Sequence, residues 1–261
     1  MDFGISDLLA IFSGSLVGFL LGVIGGGGSI LAVPLLVYVV GVKSPHVAIG
    51  TSSIAVALSA FANLIDHARR DHVCWPVAIL FAASGIVGAA LGSTLGKHTE
   101  GQKLLVLFGM LMIAIAASTA LKRKGGNEPH VRLDRSNTPW VIGIGFVVGV
   151  LSGFFGIGGG FLVVPGLVAA TSMTMILAIG SSLVSVTAFG LTTAANYALS
   201  DLIDWWLVVL FVGGGIVGGL VGGWVSTRLA TRKQALSLVF AALVAAVGVY
   251  VAARGMMNLI G

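Results

Sequence analysis

Charged residues are scarce in this chain of 261 residues, since Asp, Glu, Lys and Arg together make up only 9% of it. Soluble domains usually contain about 25%. Hydrophobic residues make up 57%, and the mean hydropathy is +1.08. A water-soluble fold could not bury this much apolar surface, so the composition excludes that class. It predicts an all-α integral membrane protein that crosses the lipid bilayer several times.

Residues that usually carry catalysis or bind metals are also missing from the apolar segments. Cys74 is the only cysteine, which excludes an intrachain disulfide and a cysteine metal site. The five histidines lie in predicted loops without metal-ligand spacing, and no segment has a charged residue at its middle. Intramembrane charges are typical of proton relays and cation sites. We therefore expect neither an enzyme nor a metal-binding protein, and a cation pump is disfavoured.

No cofactor motif is complete. The pattern Gly156-x-Gly158-x-Gly160 resembles part of a dinucleotide-binding loop, but that motif needs a preceding strand and an acidic residue about 20 positions later. The chain offers neither, so we expect no cofactor. The net charge of +5 would suggest nucleic acid in a soluble protein. Here the basic residues cluster in loops, where the positive-inside bias explains them, and no nucleic-acid partner is expected.

What the chain has in abundance is glycine, 39 residues in all, and its clearest pattern is a glycine-proline block that occurs twice. Residues 22–34 (GVIGGGGSILAVP) and 153–165 (GFFGIGGGFLVVP) are identical at seven of thirteen positions. The similarity continues downstream, where Gly50-Thr51-Ser52-Ser53 matches Gly180-Ser181-Ser182-Leu183. The chain is therefore predicted to be an internal duplication. We place the first transmembrane repeat at 1–121, a cytoplasmic linker at 122–139 and the second repeat at 140–261.

The hydropathy pattern predicts ten apolar segments, which make eight to ten transmembrane segments because two of them are short and could be re-entrant. In the first half they lie at about 5–24, 29–42, 47–65, 74–96 and 104–121, and in the second at about 140–155, 160–171, 173–199, 204–227 and 234–253. The segments that follow the glycine blocks are too short for a bilayer core of about 30 Å. Consecutive glycines are poor helix formers, so we expect broken or re-entrant helices there.

Loop charge predicts the orientation. Loops 66–72, 122–139 and 228–233 hold ten of the fourteen basic residues and should be cytoplasmic, with both termini outside. Loop 66–72 is basic, whereas its equivalent, 200–204, has no basic residue. Equivalent loops on opposite sides predict an inverted repeat of five segments per half. The alternative, four segments per half, would give parallel repeats.

The glycine blocks are the candidate substrate site. Irregular backbone at membrane depth needs a protein or water-filled surrounding, and the first N–H groups of a helix attract anions. Hydroxyls that follow each block and two intramembrane amides could add contacts, although back-bonding to the helix and helix–helix bonding are equally good explanations for them. The predicted substrate-binding residues are Gly25, Gly26, Gly27, Gly28, Ser29, Thr51, Ser52, Ser53, Asn63, Gly156, Gly158, Gly159, Gly160, Ser181, Ser182 and Asn196.

These duplicated blocks, each followed by a small-polar Gly-[Ser/Thr]-Ser motif, resemble the sulfite exporter TauE/SafE family, also called the 4-toluene sulfonate uptake permease family. The resemblance extends from about residue 8 to about residue 252. It implies a permease of the prokaryotic inner membrane for sulfur-containing anions such as sulfite or organosulfonates. Such a permease would be a secondary transporter that works by alternating access around one central site.

Four alternatives stay open at this point. The chain could be a passive anion channel, a permease for another small organic anion, or a membrane scaffold without transport. A membrane enzyme is the least compatible with the sequence, because no catalytic constellation is present. A homo-oligomer is compatible with the sequence, which identifies neither the anion nor the coupling ion.

Overall fold

The protein is all-helical in the part of the chain that the structure describes. The structure, a computed structural model, describes residues 4–24, 26–121, 133–134, 137–228 and 233–260. No β-strand occurs within these ranges. The all-α fold class is therefore confirmed. Most of the predicted linker, residue 25 and residues 229–232 lie outside the described residues.

All ten predicted segments are helical. The regular helices are α1 (Ile5–Ile24), α3 (Pro45–Arg69), α4 (Trp75–His98), α5 (Gly101–Leu121), α6 (Thr138–Phe155), α7 (Gly160–Thr171), α8 (Met175–Ala198), α9 (Trp205–Arg228) and α10 (Lys233–Ile260). Between α1 and α3 lies a short irregular helix, which we call α2. It consists of a 3₁₀ turn (Gly26–Leu31), an α-helical turn (Ala32–Leu35) and a π-helical turn (Leu36–Val40).

Six of the described helices are long and apolar enough to cross a bilayer: α1, α3, α4, α6, α8 and α9. Each contains an apolar stretch of at least 18 residues, which matches the length of a hydrocarbon core. Their outward surfaces carry large apolar side chains, such as Leu91, Val147 and Leu220, each more than half exposed. An apolar surface of this extent has to be covered by lipid, so the protein is a multi-pass membrane protein.

Close glycine contacts join α1 to α9 and α4 to α6. A Cβ added to Gly18 would collide with the backbone of Gly215, and one added to Gly149 would collide with the backbone of Gly85. Small residues let helix backbones approach in a bilayer, where apolar side chains gain nothing from leaving lipid. In both pairs residue numbers rise together along the contact, so the paired helices run parallel.

The other two long contacts, α3 with α8 and α5 with α10, are antiparallel. Gly50, near the start of α3, lies against Leu202 beyond the end of α8, whereas Gly190 lies against Ala57. Along α5 and α10, Gly109 likewise faces Gly248. In every pair each helix comes from a different half of the chain. Helices α3 and α8, which the sequence aligns with each other, therefore run in opposite directions.

These directions define two faces of the bundle. The basic face is the end at which α3 ends and α4 begins, since the exposed Arg69 and Arg70 lie there. The opposite face is the end at which α3 begins and α4 ends. Helix α8 begins at the basic face, where Gly180 lies against His72, and ends at the opposite face.

Candidate functional site

The two glycine blocks meet inside the bundle. The 3₁₀ turn Gly26–Leu31 packs against α7, which follows the second block. Gly158 lies beside Val56 and Val186, the midpoints of α3 and α8; a Cβ on Gly158 would lie 3.0 Å from one valine and 3.3 Å from the other. The blocks therefore meet at about half the depth of the bundle, where transporters with broken helices bind substrates.

The second block reverses the chain between α6 and α7. Gly156, Gly158 and Gly159 have φ angles of +66°, +62° and +72°. Residues with a Cβ are strained in this left-handed region, which explains why glycine occupies these positions. The N–H of Gly156 bonds to the carbonyl oxygen of Ser152 and ends α6. The loop thus turns within a few residues and starts α7 at the middle of the bundle.

The N-terminus of α7 presents backbone donors. The N–H groups of Leu162 and Val163 both bond to the carbonyl oxygen of Gly159. No earlier carbonyl in the helix can accept from Gly160 or Phe161, as in any first helical turn. Since Gly159 and Gly160 lack side chains, an anion could approach these donors closely.

Ser152 adds a hydroxyl to the same place. Its side chain is fully buried, and its Oγ has no hydrogen-bond partner among the described residues. That oxygen lies 2.9 Å from the point that a Cβ on Gly159 would occupy. A buried hydroxyl usually has a hydrogen-bond partner. Because Ser152 has none and lies beside the free N–H groups of α7, this place is the candidate ligand site.

Two predicted hydroxyls hold the second glycine block in place. Ser53 Oγ lies 2.9 Å from the carbonyl oxygen of Gly156 and 2.7 Å from that of Ile49. Ser52 Oγ makes the same pair of contacts at 3.3 Å and 3.0 Å. Each hydroxyl shares one proton between its two acceptors. The structure thus brings these serines to the glycine block, with their protons directed at the backbone.

Thr51 and Ser181 occupy matching places at opposite faces. Thr51 Oγ1 accepts a hydrogen bond from the N–H of Asp204, just before α9, at 3.0 Å. Ser181 Oγ accepts one from the N–H of Cys74, just before α4, at 2.9 Å. Each hydroxyl therefore binds the loop that starts a helix of the other half.

The remaining predicted residues differ in position. Ser182 is fully buried and donates to the carbonyl of Ile179 at 2.7 Å. Gly28 and Ser29 are buried in the first block, where a Cβ on Gly28 would lie 2.6 Å from the N atom of Leu21. Gly26 and Gly27 belong to the 3₁₀ turn, and Gly25 lies outside the described residues.

The two predicted amides bond to helices. Asn63 donates to the carbonyl of Ser59, one turn back on α3, at 2.9 Å. Asn196 joins α8 to α4, because its Nδ2 lies 2.6 Å from Ser93 Oγ and 2.9 Å from Thr94 Oγ1. Neither amide reaches the glycine block in these contacts.

The polar side chains of the interior are uncharged. The buried polar side chains among the described residues are serines and threonines, together with the fully buried hydroxyl-bearing Tyr197. The described part of the chain contains no group of three His, Cys, Asp or Glu residues that could hold a metal ion. A groove of about 350 Å³ lies between α1 and α9, lined by Ile11, Val209 and Gly213, and no residue of the glycine blocks lines it. Only backbone dipoles and hydroxyls are therefore available to a ligand at the centre.

Besides Ser13 on α1, sequence reasoning missed four fully buried residues with unpartnered hydroxyls. Ser152, Ser185, Thr193 and Tyr197 are fully buried, and none of their hydroxyls has a partner among the described residues. Three of them could have been found from their spacing along α8, which returns them to one side of that helix. Ser152 has no matching serine in the first half, so comparison of the two halves could not identify it.

Comparison with known proteins agrees with this architecture. A protein from Xylella fastidiosa called "Probable membrane transporter protein" is 48% identical over 258 residues, which cover 98% of each chain. The probable membrane transporter protein YunE of Bacillus subtilis is 28% identical over 82% of this chain and 85% of its own. No solved structure matches. The model of the family described as sulfite exporter TauE/SafE matches residues 10–251, and the chain belongs to this family of membrane transporters.

Proposed function

We propose that the protein is a secondary transporter for a small sulfur-containing anion, such as sulfite or an organosulfonate, and that it works by alternating access around the glycine blocks. One observation carries the proposal. The N-terminus of α7 lies at mid-depth beside the buried, unpartnered hydroxyl of Ser152.

The chemistry of this site suits an oxyanion. The macrodipole of α7 places about half a positive charge at the N-terminus of this helix. The N–H groups of its first turn are directed toward the proposed site. Ser152 Oγ can donate one further hydrogen bond to an anion oxygen. Because no charged side chain is buried among the described residues, binding rests on dipoles. Such a site can bind an anion and still release it, which transport requires.

The substrate class rests on the family description, which reads "Sulfite exporter". The names of the relatives state only that they are membrane transporters. Sulfite and sulfonates present three oxygens on one side of sulfur, which matches a cluster of converging donors. A small carboxylate is the alternative substrate, because it presents two oxygens to the same donors.

We propose that the halves form an inverted repeat in the prokaryotic inner membrane, with the basic face in the cytoplasm. Equivalent helices point in opposite directions, as the contacts of Gly50 and Gly190 indicate. The exposed Arg69 and Arg70 lie at the basic face, and positively charged loops are usually retained on the cytoplasmic side. This orientation leaves both termini outside.

Ligand-induced stabilisation of the purified protein tests the site. Ligands that bind only the folded state raise its unfolding temperature with concentration. The panel contains sulfite, thiosulfate, sulfate, taurine, sulfoacetate and small carboxylates. We expect one sulfur oxyanion to stabilise the wild type. Ser152→Ala should weaken binding about 10- to 100-fold, since a hydrogen bond to a charged group contributes about 1.5–3 kcal/mol.

Ser13→Ala is the matched control. Ser13 is also fully buried with an unpartnered hydroxyl among the described residues, but it lies on α1 away from the glycine loop. Its substitution should leave the affinity unchanged. Stabilisation by no anion, or equal losses in the two variants, would contradict a site at α7.

Counterflow in proteoliposomes separates a transporter from a passive channel. A transporter that alternates access exchanges internal unlabelled anion for external labelled anion, and the flux saturates. A channel gives flux that follows the gradient alone and no transient accumulation. We expect saturable counterflow with the anion that stabilises the protein.

A further inference from the structure

One side of α8 carries buried hydroxyls without partners. Ser185, Thr193 and Tyr197 are fully buried, and their oxygens have no hydrogen-bond partner among the described residues. With 3.6 residues per turn, these positions and Phe189 lie on the same side of the helix. From the first to the last they extend over about 18 Å, which is about half of a bilayer core.

Other hydroxyls on α8 behave differently. Ser182, Thr187 and Thr192 each donate to a carbonyl three or four residues back, at 2.7–2.8 Å. Hydroxyls on the unpartnered side of α8 could therefore bond to backbone carbonyls of the helix in the same way. Since buried polar groups are normally bonded, the unpartnered set indicates groups that serve a ligand.

This side of α8 faces α4 and begins at the glycine site. The ring of Phe189 lies 3.5 Å from the point that a Cβ on Gly159 would occupy. Tyr197 Oη lies 3.2 Å from the point that a Cβ on Gly96, near the end of α4, would occupy. The unpartnered hydroxyls therefore lead from the centre of the bundle to its opposite face.

Phe189 blocks this line one turn beyond Ser185. It is fully buried, contacts Gly85 and stacks with Phe81 at a centroid distance of 6.5 Å and an interplanar angle of 26°. No polar ligand could pass between α4 and α8 while these two rings are packed together. The line of hydroxyls is closed in this conformation.

The equivalent side of α3 is polar as well but lacks the aromatic block. With the offset of 130 residues between the halves, Phe189, Thr193 and Tyr197 correspond to Ser59, Asn63 and His67. These α3 residues lead from the centre to the basic face. Ser59 is 5% exposed, and both other residues are partly exposed, whereas the α8 residues are 0% exposed. The polar side of α3 is thus partly exposed, whereas the polar side of α8 is closed.

We propose that this side of α8 is the substrate's route between the glycine site and the opposite face, and that Phe189 is its gate. The proposal rests on the proposed function, since it takes α7 as the central site. The route would take an oxyanion, because its groups are hydroxyls that can donate in succession. The chain is described in a conformation whose gate is closed toward the opposite face.

Cysteine accessibility tests the route. Cys74→Ser removes the native thiol, and Thr193→Cys or Thr187→Cys adds a single new one. The reagent is a membrane-impermeant methanethiosulfonate that carries a sulfonate group. It is applied to intact cells and to inside-out vesicles. We expect Thr193→Cys to react from one side only, at least tenfold faster than Thr187→Cys. Equal or absent reaction at both positions would overturn the route.

Removing the ring tests the gate. Phe189→Ala should speed labelling of Ser185→Cys from the same side at least tenfold and make anion flux less dependent on counter-substrate. Phe108→Ala is the matched control, because Phe108 is equally buried but packs against Phe155 on α6. If Phe189→Ala fails to fold, Phe189→Leu replaces it. Unchanged labelling and flux would contradict the gate.

The same variants separate this inference from the proposed function. Binding of the identified anion to detergent-solubilised protein reports on the glycine site alone. If Thr193→Cys and Phe189→Ala retain Ser152-dependent binding without any labelling or flux change, the route is wrong and the site stands. If labelling follows the route while Ser152→Ala binds as tightly as wild type, the route stands and the α7 site is wrong.

Discussion

The hydroxyl of Ser53 on α3 lies 2.9 Å from the carbonyl oxygen of Gly156, 103 residues further along the chain. This contact joins a helix of the first half to the glycine loop of the second half. The loop has a left-handed backbone and turns at the middle of the bundle. Its position therefore depends on the other half of the protein, and movement of α3 would also move the site.

Ser53→Ala should loosen the second glycine loop. The substitution removes the shorter of two hydrogen bonds to Gly156, the longer being that of Ser52 at 3.3 Å. A buried neutral hydrogen bond contributes about 1 kcal/mol, so we expect an unfolding free energy lower by about that amount. Ser52→Ala should cost less. Thermal unfolding of both single variants checks the order.

The double variant of Ser52 and Ser53 is the sharper measurement. Once both hydroxyls are gone, the Gly156 carbonyl has no donor from α3, and the loss should exceed the sum of the single losses. Additive losses would mean that the two serines do not share this acceptor.

Thr51→Val should destabilise the protein without weakening anion binding. Its hydroxyl accepts from the N–H of Asp204 before α9 and not from the glycine loop. Leaving that donor without its partner costs about 1 kcal/mol or more. Ser181→Ala should behave alike, since it accepts from Cys74. A stability loss with unchanged affinity in both variants is the expected result, and a tenfold weaker affinity would place these hydroxyls in the site.

Gly149→Ala should prevent close packing of α4 and α6. The added methyl group would collide with the carbonyl of Gly85, whose backbone cannot move without moving α4. Gly143→Ala on the same helix is the control, because no atom lies within 4 Å of its Cβ position. In a helix, Gly→Ala without a clash gains about 0.8–1 kcal/mol. Size-exclusion yield and unfolding temperature should fall for the first variant and hold or rise slightly for the second.

The sequence predicted the helices well because hydropathy and glycine runs act locally. All ten segments appear, and the breaks fall at the two glycine blocks. It could not assign the hydroxyls, whose roles depend on partners about 100 to 150 residues away. Thr51 and Ser181 look like site residues next to a glycine, yet each binds a loop at a membrane face. Local patterns give no information about such distant partners.

The missed residues illustrate the same limit. Ser152 has no counterpart in the first half, where Leu21 occupies the equivalent position. The similarity between the two halves therefore does not identify Ser152. Only the packing of α6 against the loop places its hydroxyl beside Gly159. The site is asymmetric because the second half supplies this serine and the longer regular helix, whereas α2 is broken into three short turns.

Gly159→Ala and Gly158→Ala should affect binding differently. Both residues have positive φ, so both substitutions cost about 1–2 kcal/mol of backbone strain. The methyl group at 159 would lie 2.9 Å from Ser152 Oγ and fill the proposed anion site, whereas that at 158 would meet Val56 and Val186. We expect Gly159→Ala to abolish the stabilisation by anions. Without anion, its unfolding free energy should be close to that of Gly158→Ala.

The double variant of Gly159→Ala with Ser152→Gly separates crowding from lost donation. Removing the serine side chain makes room for the methyl group, so stability should recover in part. Binding should stay weak, because the hydroxyl that would donate to the anion is absent. Full recovery of binding in this variant would show that Ser152 acts only through its volume, and the anion would then be bound by the α7 backbone alone.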